Sequence, residues 1–173
     1  MNASLVLTLI GPNTIGIVFR VAQIVGAHGG NWLGARMANL AGQFAGIVHL
    51  ELPHTKVEAF TQGLRELESM GMRFQVARGD VSADASVPDL LHLELVGQDH
   101  PGIVHDVAGA LARRGVSIEQ LVTDRVSGAF SGEALFKAVA QVRVPSEVST
   151  DDLRTALESV AHEVMVDLTL ERR

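Results

Sequence analysis

Leu5, Leu7 and Leu9 alternate along the start of the chain, and Leu91, Leu93 and Leu95 alternate with His92 and Glu94; both read as strands with one buried face. Each is followed by a glycine-containing turn and a helical pattern. The apolar positions Ile17/Val18, Val21 and Val25 fall at helical spacing, as do Val104, Val107 and Leu111. Gly29 and Gly115 then stand where a left-handed C-cap ends a helix. Two strands joined by a turn near Gly42 or Gly128 come next. Val48, Leu50 and Leu52 face inward between His49 and Glu51; Phe136, Ala138, Ala140, Val142 and Val144 alternate with Lys137, Gln141 and Arg143. A second helix carries Val57, Phe60, Leu64 and Leu67, or Leu153, Leu157 and Val160. The closing strand alternates Met72, Phe74 and Val76, or Val164, Val166, Leu168 and Leu170.

The order βαββαβ is therefore written twice. At an offset of 86, Gly11, Gly16, Ile17, Val21, Ala22 and Gly29 recur as Gly97, Gly102, Ile103, Val107, Ala108 and Gly115. Gly42, Phe44 and Gly46 align in the same way with Gly128, Phe130 and Gly132, which places an insertion after Gly132 and lengthens the third strand of the second copy. The expected fold class is α+β: two tandem ferredoxin-like units, each a four-stranded antiparallel sheet with two helices on one face. The expected boundaries are 1–80 for the first unit, 81–88 for a small, polar linker and 89–173 for the second unit.

Composition narrows the function. The 173 residues are 47% hydrophobic and only 4% aromatic, and 14 Lys+Arg against 20 Asp+Glu give a net charge of −6. An acidic chain is a poor polyanion binder, so direct nucleic-acid contact is not expected. The outward strand residues of the second copy, His92, Glu94, Lys137, Gln141, Arg143, Asp167 and Glu171, are mixed in sign and include no Phe, Tyr or Trp for base stacking. With no cysteine, disulfides and thiolate chemistry are excluded. No apolar run is long enough to span a membrane, and no leader pattern opens the chain; a cytoplasmic location is expected.

The first turns carry the most distinctive residues. Gly11 to Gly16 reads GPNTIG and Gly97 to Gly102 reads GQDHPG. Both have the glycine spacing of a phosphate loop, but Ile-Val follows where Lys and Ser/Thr would be needed, so nucleotide binding is not expected. As structure, these are strand-to-helix turns with Asn13 or Asp99 as cap and Pro101 in the first helical turn. As chemistry, the amides at a helix N-terminus suit a carboxylate, and Asp99 or Asn13 suits an amine; together they fit an amino acid. His100 and His105, beside Asp99 and Asp106, lack the spacing of a helical metal motif, and no metal or other cofactor is expected. No paired carboxylates or nucleophile elbow ask for catalysis, so the chain reads as a non-enzyme. Trp32 opens a strand where the second copy has Ile118, and it reads as a core residue.

The run L-x-L-x-L-x-G-x-D-x-P-G-I-V over Leu91–Val104, followed by Gly115-Val-Ser117-Ile118, resembles the ACT domain. Leu5–Val18 with Gly29-Gly-Asn31-Trp32 is a relaxed version, with Asn13 for the Asp and Ile15 for the Pro. Two such units in tandem resemble the glycine cleavage system transcriptional repressor family. The resemblance implies a regulatory protein that binds an amino acid such as glycine at interfaces between domains. It further implies homo-oligomers and action on transcription through a DNA-binding protein partner. Carried onto this sequence, the implied ligand-binding residues are Gly11, Asn13, Gly16 and Asn31 in the first unit and Gly97, Asp99, Gly102 and Ser117 in the second. The alternative is an interaction module whose ACT units only pair with protein and take no small ligand.

Overall fold

The computed structural model describes residues 1–79, 90–127 and 134–172. The chain divides into two compact units, Met1–Ala85 and Ser86–Arg173; the expected linker, 81–88, lies outside the described residues. Unit 1 runs β1 (Asn2–Pro12), α1 (Ile17–Ala27), β2 (Asn31–Leu40), β3 (Gln43–Pro53), α2 (Val57–Gly63) and β4 (Arg73–Arg78). Unit 2 runs β5 (Leu90–Gln98), α3 (Ile103–Ala112), β6 (Ser117–Ser127), β7 (Ala134–Arg143), α4 (Thr150–Glu163) and β8 (Val166–Arg172). The strand orders are β2-β3-β1-β4 and β6-β7-β5-β8, antiparallel throughout. Each is the expected βαββαβ sheet.

Strand alternation builds both cores. Leu5, Leu7, Leu9, Val48, Leu50 and Leu52 are buried with Phe60, Leu64 and Leu67; Leu91, Leu93, Leu95, Ala138, Ala140 and Val142 are buried with Leu153 and Leu157. Trp32 is half-buried and packs against the first core. In the first helices the apolar stripe is Ile17, Val21, Ile24 and Val25, or Ile103, Val107, Ala110 and Leu111. Val18 and Val104, grouped with the core by spacing alone, turn outward and are 43% and 45% exposed, while Ile17 and Ile103 before them are buried. On α4 Ala161 is buried, while Val160 packs at the edge of the core. The second helix of unit 1 is α-helical only to Gly63 and tightens to 3-10 over Leu64–Met70.

The C-terminal caps are as expected. Gly29 and Gly115 both have φ +69. Gly30 N–H donates to Val25 O and Val116 N–H to Leu111 O, the six-to-one bond of a Schellman motif. The N-termini differ from expectation. Gly16 (φ 85) and Gly102 (φ 104) are the capping residues, and no side chain caps either helix; neither Asn13 nor Asp99 does so. Pro101 precedes the helix instead of lying in its first turn.

Register relocates the insertion. Gly11 pairs with Phe44, and Gly97 pairs with Phe136. Phe44 therefore corresponds to Phe136, not to Phe130, and the extra residues of the second copy precede β7. In unit 1 the hairpin closes through Ala41 and Gly42, both at positive φ as a two-residue turn of strand-matching twist requires. Gly128, Phe130 and Gly132 lie outside the described residues. The described β7 has 10 residues against 11 in β3 and is not the longer strand.

Candidate functional site

Gly11 and Gly97 are the next-to-last residues of β1 and β5, at a point of close backbone approach. A Cβ at Gly97 would stand 2.6 Å from Met165 O and 2.7 Å from Val166 Cα; one at Gly11 would stand 2.8 Å from Gly71 O and 2.9 Å from Met72 Cα. These two glycines serve packing against the closing strand. Gly16 and Gly102 are different. A Cβ at Gly16 would meet nothing within 4 Å, and one at Gly102 only Asp106 Oδ2 at 3.6 Å. Both lie open at a helix start, in the left-handed conformation that glycine adopts without strain. No side chain caps the first-turn amides of either helix; in unit 1 the Ile17 N–H donates to Thr14 O.

Asp99 follows β5, its N–H donating to Ala134 O, and its carboxylate accepts from Arg125 Nε at 2.7 Å. The Asp99 side chain is 27% exposed, so the pair sits at the surface with carboxylate and guanidinium both reachable. Arg125 was not among the residues expected from the sequence. The signal was the repeat itself: the positions of Asp99 and Arg125 are those of Asn13 and Asn39 in unit 1, so one unit carries a charged pair where the other carries two amides. Asn13 is exposed, its N–H bonded to Gly42 O.

His100 turns into the protein. Its Nε2 lies 2.7 Å from Val164 O and its Nδ1 3.0 Å from Pro101 O. A ring facing two carbonyls satisfies both only with two N–H groups. The Val164 carbonyl, then that of Pro101, accordingly hold His100 above the usual imidazole range. His105 pairs with Asp106 at 2.8 Å on the surface. Among the described residues no group of three His, Cys, Asp or Glu is placed to hold a metal, and no helix is long and apolar enough to cross a membrane.

The strand-start residues lie apart from the turns. Ser117 pairs with Arg143, and Arg143 with Leu90, at the opposite end of β5 from Gln98. That is about eight residues, or roughly 27 Å, along an antiparallel strand. Ser117 Oγ donates to Glu119 Oε1, which Arg143 also contacts. Asn31 is displaced in the same way: it pairs with Glu51 and that with Ser4, while Asn13 follows Pro12. Each unit thus gathers Gly11, Asn13 and Gly16, or Gly97, Asp99 and Gly102, and leaves Asn31 or Ser117 at the far end of its sheet.

The turn of unit 1 also carries an apolar rim. Ile15 is fully exposed and Phe19 is 68% exposed, with Val18 between them. The strand residues Trp32, Phe44, Phe74 and Phe136 pack against the cores, so among the described residues the open sheet faces carry no Phe, Tyr or Trp. There Lys137 and Glu94 form an ion pair at 2.7 Å, and the Lys137 hydrogen bond and charge hold the Glu94 carboxyl below its ordinary value.

Residues 3–77 match the ACT domain family. Over its full length the chain is similar to an unknown protein from Galdieria sulphuraria, at 28% identity and a TM-score of 0.88, with 100% of this chain and 99% of that one covered. It is also similar to the solved structure of a proposed glycine cleavage system transcriptional repressor, at 17% identity and a TM-score of 0.69, with 99% and 97% covered; at that identity the likeness is one of fold. No curated protein matches the sequence. Unit 1 matches the ACT domain family over residues 3–77 and unit 2 repeats its strand order, cap glycines and turn, so the chain has a tandem ACT-like fold.

Proposed function

We propose that the chain is a non-enzymatic regulatory protein that senses a small amino acid such as glycine and modulates transcription through a DNA-binding protein partner in the cytoplasm. The observation that carries the reading is the uncapped helix start at Gly102 with Asp99 and Arg125 beside it. An amino acid presents one cation and one anion. The amides at Gly102 and the Arg125 guanidinium suit the carboxylate, and Asp99 suits the ammonium group. In unit 1, Gly16 and Asn13 offer the same shape without charge, so the weaker affinity is assigned to that turn. Gly11 and Gly97 enter as the packing that holds the turns in place. Asn31 and Ser117 join a ligand only when a second copy of the chain brings its strand start to the turn, which is why homo-oligomers belong to this reading.

The second reading is a protein-interaction module without a small ligand. The exposed Ile15, Val18 and Phe19 favour it. A thermal-shift screen of the twenty amino acids separates the two. A ligand at 100 times its Kd adds about 2.7 kcal/mol if only the folded state binds it. A selective rise in Tm supports sensing; no rise with any amino acid at millimolar concentration supports the interaction module.

A further inference from the structure

Unit 1 contains a concave site remote from its turn, a trough of about 410 Å³ between α2 and β4. Leu5, Val57, Phe74 and Val76 wall it, and His54 and Arg78 stand at its rim. It lines up with a filled place in unit 2. Leu7 pairs with Val76 as Leu93 pairs with Leu170, so Val76 and Leu170 are equivalent. Phe60 and Leu64 on one helix, and Leu153 and Leu157 on the other, are the buried residues four apart. The residues that follow the first of each pair are Thr61 and Arg154. Arg154 sends its aliphatic stem across from α4 to β8, where Nη2 donates to Leu170 O at 2.7 Å. Thr61 instead turns its hydroxyl back onto Val57 O of its own helix, at 2.9 Å. Unit 2 fills the gap with its own chain; unit 1 leaves it open.

We propose that this trough binds an aliphatic carboxylate. The internal comparison indicates the shape of the occupant, because a slender methylene stem fills the equivalent space in unit 2. The lining indicates the head group. Its ionisable side chains among the described residues are Arg78 and His54, and none of the described lining residues is acidic. Arg78 makes no ion pair among the described residues. The apolar walls take the chain and the Arg78 guanidinium takes the carboxylate. The site is independent of the amino-acid reading of the turns and stands or falls separately from it.

The test is calorimetric titration of the full chain with sodium decanoate below its micelle concentration, with decyltrimethylammonium as the opposite head group. Decanoate binds and the cation does not. Arg78→Gln weakens binding by about fivefold, the upper range for an exposed charge pair. Thr61→Arg, which installs the residue of unit 2, abolishes it while circular dichroism is unchanged. Amide chemical-shift mapping on the unaltered protein places the perturbed residues at 54–61 and 74–78, which keeps the test valid whatever the variants do to folding. No binding at millimolar decanoate, equal binding of both head groups, shifts elsewhere in the chain, or binding that survives Thr61→Arg would overturn the proposal.

Discussion

Gly97→Ala separates a packing glycine from a ligand-facing one. The added Cβ would lie 2.6 Å from Met165 O and from Val166 Cγ1 and 2.7 Å from Val166 Cα, where ordinary contacts are no closer than about 3.4 Å. Two of those neighbours are backbone atoms, so no rotamer change relieves the clash. Met165 and the start of β8 must retreat by up to about 1 Å, and Val164 O, which His100 contacts, belongs to the residue just before Met165. Overpacking of this kind costs about 1–3 kcal/mol. Replacing glycine by alanine within a strand returns about 0.5–1 kcal/mol of backbone entropy. At the middle of the two ranges the net loss is about 1.3 kcal/mol, and a domain of this size moves by about 4–8 °C per kcal/mol. Differential scanning calorimetry of the full chain without ligand should show a melting step lowered by about 5–10 °C. A Tm within about 2 °C of the unaltered protein would refute the assignment of Gly97 to packing.

Gly102→Ala meets no clash but forces a side chain to φ 104, so it should cost about 1–2 kcal/mol in urea unfolding while β8 stays in place. Phe60→Ala empties the centre of the first core at a fully buried position and should cost about 3–5 kcal/mol, read from the loss of Trp32 fluorescence in a denaturant titration. His100 gives a pH dependence of fixed sign. Its folded pKa is raised, so its contribution is complete below the unfolded value near 6.5 and is lost as pH rises through the folded value. Tm should therefore fall between pH 5.5 and 8, and His100→Gln should reduce that fall, as measured by calorimetry in matched buffers. Glu94 has the opposite sign but acts only below pH 4.5, outside this window.

The architecture is legible in the sequence because both of its periods are clean. Leucines two apart define β1 and β5, and glycines after the helices mark left-handed caps that only the backbone geometry confirms. The same pattern is ambiguous between Ile17 and Val18, since adjacent apolar residues differ by only about 100° around a helix. The insertion was misplaced because Gly42, Phe44 and Gly46 match Gly128, Phe130 and Gly132 letter for letter, whereas hydrogen-bond register pairs Phe136 with Gly97. The turns are legible as motifs, but their capping is not: glycine at the cap position leaves Asp99 free to reach Arg125. That pair joins residues brought together only by sheet formation, so no local spacing reveals it. Nor does any local spacing show that Ser117 and Asp99 end at opposite ends of one sheet. The open trough beside Thr61 becomes visible only against Arg154, when the two folded units are compared.

Isothermal titration of glycine and other small amino acids into the full chain, alongside Asp99→Ala and Asn13→Ala, tests the sensing role most directly. Loss of one hydrogen bond to a charged group costs about 1.5–3 kcal/mol, so Asp99→Ala should weaken binding by roughly 10- to 150-fold, and Asn13→Ala should weaken it less. No heat of binding from any amino acid at millimolar concentration, or equal affinity in the unaltered protein and both variants, would contradict it.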